Sequence, residues 1–116
     1  MAHANINLKA YKAAIHKTAK VGNNRTTTHT GSHRINRLHG APVMVVDYTQ
    51  KRATVDYCGY LTSTTVDAIK GFLEAETGLV WGVSRGGACL TVWGGTLPAP
   101  IKTTDGNSAL TFDLPA

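Results

Sequence analysis

Residues 25–40, RTTTHTGSHRINRLHG, put three histidines, three arginines and no acid into sixteen positions. Three imidazoles suffice for a zinc ion whose fourth ligand is water, so His29, His33 and His39 are the first chemistry to weigh. Their spacing opposes it. The surrounding threonines favour extended chain, in which residues four apart stand about 13 Å from one another. His29 and His33 meet only if Gly31 reverses the chain, and His39 would have to return to the same point. Neither Cys58 nor Cys89 lies at ligand spacing, so neither metal nor cofactor is expected.

Covalent chemistry has one candidate. Cys58 beside a histidine would make an activated thiolate, but it precedes the expected helix by about six residues, too far for the helix N-terminus to lower its pKa. Both cysteines read as reduced core residues, with a single bridge between them left open. The acids are scattered, and the glycines of SRGGA and WGGT lack the strand–loop–helix context and lysine of a phosphate loop. The chain reads as non-enzymatic.

What remains is charge. Residues 1–40 carry seven Lys/Arg and no acid, a formal +7; residues 41–116 carry −2 of the total +5. All five histidines also lie in the first part. Such asymmetry points to a polyanionic partner. Leu8, Tyr11, Ile15 and Ala19 recur at helical spacing, which predicts an amphipathic helix over 5–21 closed by Gly22-Asn23-Asn24. Its opposite face gathers Lys9, Lys12, His16, Lys17 and Lys20, and Arg25, Arg34 and Arg37 extend that surface. These eight residues are the expected nucleic-acid contacts. Asparagine and glutamine are too sparse on the helix to read bases, so binding without sequence preference is expected.

The elements that must position these groups follow from periodicity. Residues 25–57 read as short strands in an antiparallel meander, turning at Gly31, Gly40 and Gln50-Lys51. A helix is expected at about 64–77, capped by threonine or serine and closed by Gly78. LVWGV and ACLTVW then form a hairpin around SRGG. Residues 94–107 read as a loop, and ALTFDL is a last strand. Helix, strands, helix, strands is the order of a one-domain α+β fold, comprising N-terminal amphipathic helix, meander, second helix, C-terminal hairpin and strand. No signal peptide and no membrane span are expected.

The middle section, HRINRLHGAPVMVVDYTQKRATVDYCGYLTSTTVDAIKGFL, resembles a family of small uncharacterised proteins of tailed bacteriophages. The matching positions are Leu38-His39, Val43 to Val46, Gly59-Tyr60 and the threonines Thr62, Thr64 and Thr65, within residues 33–77. Cys58, where a small residue is commoner, and the intervening Leu61 depart from the pattern. The resemblance implies a phage accessory protein in the cytoplasm of a bacterial host, and it implies no activity. Two readings follow. One is a nucleic-acid-binding protein; the other is an inhibitor of a host or defence complex, or an assembly protein, docking on another protein. Trp81 and Trp93 would be natural anchors for docking if exposed, though strand alternation favours core packing for both. A sheet edge also leaves room for a homo-oligomer.

Overall fold

From residue 18 onward, segments rich in threonine and valine pair with their neighbours in the chain. In the computed structural model, which describes residues 6–14, 17–104 and 106–114, β1 (Thr18–Gly22), β2 (Arg25–His29), β3 (His33–Leu38), β4 (Ala41–Asp47) and β5 (Arg52–Asp56) form an antiparallel meander. Two residues, Asn23 and Asn24, turn β1 into β2. Asn24 takes φ 58°, a left-handed conformation that asparagine enters more readily than most residues. The β4–β5 turn is held by Asp47 Oδ1, which accepts from the Thr49 and Gln50 amides at 2.9 and 3.2 Å.

Helix α2 (Ser63–Thr77) begins where Thr62 Oγ1 accepts from the Thr65 amide at 3.2 Å. It ends at Gly78, whose φ of 71° suits a residue without Cβ. Its buried residues Ala68, Ile69, Phe72 and Leu73 meet Met44, Val46 and Val55 of the sheet in one core. Beyond it, β6 (Trp81–Gly86), β7 (Cys89–Gly94) and the two-residue β8 (Ile101–Lys102) make a second antiparallel sheet. The expected 94–107 loop therefore contains a short strand. The last strand, β9 (Ala109–Asp113), returns to pair with β5 and completes the order β1-β2-β3-β4-β5-β9. Trp81 joins the two sheets, its ring centroid 5.4 Å from that of Phe112. The described residues form a small α+β domain with two helices and antiparallel sheets.

The N-terminal helix is much shorter than its spacing predicts. Helix α1 covers only Leu8–Ala13, capped by Asn7, whose Oδ1 accepts from the Ala10 amide at 3.0 Å. Residues 18–22 are strand, so the 5–21 helix and the basic helix of residues 1–24 are not formed. Thr18 and Val21 are β-branched, and the backbone groups of this segment find partners on β2. Five strand residues offered a ladder outweigh a lone helical stripe, because a short helix gains little from propensity without tertiary burial. Ile15 and His16 lie outside the described residues.

Inside α2, Gly71 has a packing reason. A Cβ at that position would stand 2.5 Å from Ile6 Cγ1, so the missing side chain lets the N-terminal segment lie against the helix. Ile6 is buried there, and the next residue, Asn7, donates its amide to the Val21 carbonyl.

Candidate nucleic-acid interface

Because the sheet is a meander, residues close in sequence are close in space. The described part of the acid-free first forty residues thus contains α1 and the β1-β2-β3 half of the large sheet. Strand alternation divides their side chains between two faces. Lys20 pairs with Thr26, and Thr26 with Arg37, so all three share the face turned away from α2. Lys9 and Lys12 are exposed on α1, and Lys17 is exposed at the bend before β1. Arg37, half-buried, donates to Thr28 Oγ1 at 3.4 Å. Among the described residues none of these five cations is in an ion pair.

Two expected contacts point the other way. Arg25 is only 4 % exposed; it donates to the Asn23 carbonyl at 3.1 Å and pairs with Asp67 of α2 at 3.2 Å. Arg34 is 6 % exposed, donates to the Tyr11 carbonyl at 2.8 Å, and lies 4.3 Å above the Tyr11 ring. Arg25 pairs with Leu38 and Arg34 with Val46, so both share the face turned towards the core. The eighth expected contact, His16, lies outside the described residues.

Arg34 belongs to a buried polar network that spacing did not suggest. The Tyr11 and Tyr48 hydroxyls both donate to Glu76, at 2.7 and 2.9 Å. Burial, reinforced by the Glu76 carboxylate, pushes both phenols well above the ordinary tyrosine range. A phenol that holds its proton this firmly is no base and no nucleophile at neutral pH. The network anchors α1 to the end of α2.

The histidines separate as well. His29 packs on the Tyr48 ring with centroids 5.1 Å apart, His33 faces Asp47 at 3.6 Å, and His39 sits in the β3–β4 turn at φ 51°. No three metal-ligating side chains converge among the described residues. Cys58 is half-buried in a left-handed turn rather than in the core, and burial, then Asp56, raises its thiol pKa. Cys89 is half-buried too, and both thiols are free. No described helix is long and apolar enough to cross a membrane.

The threonine motif has a second aspect. Thr62, Thr64 and Thr65 join Leu38, His39 and Tyr60 in lining a half-open pocket of about 440 Å³, with mostly apolar walls, between the β3–β4 turn and the start of α2. Thr62 and Thr65 spend their hydroxyls on one another and on the helix cap, leaving Tyr60 as the prominent exposed group at its rim.

No family model, curated protein or solved structure matches this chain. Its function must therefore be read from its own surface. On that surface Lys20 and Arg37 share the sheet face turned away from α2, and Lys9 and Lys12 are exposed on α1, which packs on the α2 side through Tyr11. The nearby carboxylates are occupied: Asp67 by Arg25, Glu76 by the two tyrosines, Asp47 by His33.

Proposed function

We propose that this chain is a non-enzymatic accessory protein of the tailed-phage type that binds nucleic acid through the edge of its large sheet. One observation carries the reading: the exposed Lys9, Lys12, Lys17 and Lys20, and Arg37, stand outside any ion pair among the described residues on α1, the bend before β1, β1 and β3, a part of the chain that has no acid. Cations on a backbone-tracking surface bind phosphates without reading bases and release counterions as they do so. The contact set is smaller than the eight residues expected from spacing, since Arg25 and Arg34 are committed inward. Five phosphate contacts give a slope of log affinity against log salt of about −4 to −5 on duplex DNA. Replacing Lys9, Lys12, Lys17 and Lys20 together with glutamine should leave a slope near −1 and abolish measurable binding at physiological salt. Duplex binding that ignores both salt and these substitutions would refute the proposal.

A second reading rests on the pocket beside Tyr60, which is 68 % exposed next to apolar walls. A partner protein inserting an apolar side chain there would be insensitive to the four lysine substitutions and weakened by Tyr60→Ala.

A further inference from the structure

The second sheet turns one face inward, through Trp81, Val83, Leu90 and Val92, and the other to solvent. On the solvent face lies the other tryptophan. Trp93 pairs with Gly82 across β6–β7, and a Cβ at Gly82 would collide with the indole ring. The ring is therefore laid across bare backbone, one side covered by the strand and the other open; the residue is 41 % exposed. Val80, one alternation before Gly82, is 77 % exposed on the same side. Ser84 and Thr91 continue the face with hydroxyls, and Lys102 of β8 pairs with Thr91.

An indole held flat is a stacking surface whose orientation has already been fixed. Trp81 fills the core, so Trp93 is not needed there. Cross-strand shielding of a glycine accounts for the covered side of the ring but not for the open side beside Val80. The diagonal register places Lys102 about 8 Å from Trp93 at the backbone, within reach of a long side chain. Lys102 is the one charged side chain on this face among the described residues. An aromatic plane with hydroxyls and an adjacent cation matches a nucleotide, whose base stacks while its phosphate meets the ammonium. A neutral sugar would leave the cation unused. Bases inside a duplex are already stacked on each other and cannot lie on an indole.

We infer that the solvent face of the β6–β7–β8 sheet binds single-stranded nucleic acid, with Trp93 stacking on a base and Lys102 contacting phosphate. This rests on the nucleic-acid reading above for the class of partner, but on a separate surface. The inference commits that reading to unpaired strands, for which the β1 edge alone gives no preference.

The test is anisotropy of labelled oligothymidylate and of a duplex of similar length, with the full chain. Trp93→Leu should weaken the single strand about 5- to 100-fold and leave the duplex unchanged. Trp93→Phe, which keeps an aromatic plane on Gly82, should recover part of that loss. Lys102→Gln, away from any core contact, should lower the single-strand salt slope by about 0.7, and this holds the test open if Trp93→Leu folds poorly. Single-strand affinity equal in wild type, Trp93→Leu and Lys102→Gln would overturn the inference while duplex binding upholds the edge reading. Binding to neither nucleic acid would overturn both. Capture of a neutral oligosaccharide or a protein through Trp93, with no oligothymidylate binding, would assign the face to a different class of ligand.

Discussion

Replacing a mid-helix glycine by alanine ordinarily stabilises a protein, and at Gly71 the expected sign is reversed. Helix propensity alone favours Gly71→Ala by about 1 kcal/mol. Against that, the new methyl would stand 2.5 Å from Ile6 Cγ1, 3.5 Å from Cδ1 and 3.6 Å from Cβ. The obstructing atom is at the middle of the isoleucine, not its flexible end, and Ile6 is only 5 % exposed. Ile6 must shift into its neighbours or leave its site. Overpacking of this kind costs roughly 1–3 kcal/mol, and expelling a buried isoleucine costs a similar amount. The net expectation is destabilisation of about 1 kcal/mol. Ile6→Ala removes the obstacle, so in that background Gly71→Ala should stabilise by about 1 kcal/mol. The coupling energy is then about 2 kcal/mol. For 116 residues each kcal/mol moves Tm by about 4 °C, so thermal melts of the four proteins resolve it. If Gly71→Ala raises Tm equally in both backgrounds, the N-terminal segment does not pack where it is described.

Two further outcomes follow from the inward residues. Arg34→Gln should cost roughly 2–4 kcal/mol, since it removes a buried charge-assisted hydrogen bond and the stack on Tyr11, and should leave the duplex salt slope unchanged; Lys20→Gln should do the converse, lowering the slope by about 0.9 with stability unmoved in urea melts. A drop in slope for folded Arg34→Gln would show that this guanidinium reaches phosphate after all. The Tyr11 and Tyr48 phenols are raised above their unfolded values, so the stability they contribute is fully present below about pH 10 and fades as pH climbs through the folded values. The Tyr11→Phe, Tyr48→Phe double variant should lose about 1 kcal/mol per hydrogen bond near neutrality yet fall less steeply above about pH 10; parallel alkaline declines in urea midpoint would refute the buried network.

Most of the fold was legible because its signals are local. The period-two alternation of β5 and β9, the Thr62 cap and Gly78 stop of α2, and the hairpin signals around SRGG all act within a few residues. Residues 17–22 mislead for the opposite reason. Leu8, Tyr11, Ile15 and Ala19 satisfy a helical stripe, while Thr18 to Val21 also alternate, and only pairing with β2 decides between them. The Asn23-Asn24 turn looked like a helix terminator because asparagine serves both purposes. The basic surface was overcounted through strand parity. Arg34 and Asn36 share their parity with Leu38, and Arg25 pairs with Leu38 across the ladder, so one inward leucine already implied an inward arginine on each strand. Gly71 and Gly82 gave no local hint of their roles, since Ile6 and Trp93 approach them from distant parts of the chain. The Tyr11–Glu76 contact spans 65 positions and had no counterpart in spacing.

The return of β9 to β5 has a bearing on biogenesis. A ribosome releases the chain from its amino end, so five strands can assemble while the sixth is still inside the exit tunnel. During that interval β5 presents bare amides and carbonyls to every neighbour, including other nascent copies. Arg52 and Lys51, charged and exposed at its first turn, would act as gatekeepers until Ala109–Asp113 emerges and docks. Completion of the large sheet then waits for β9 to emerge, and a yield that improves when synthesis is slowed would be its cellular signature.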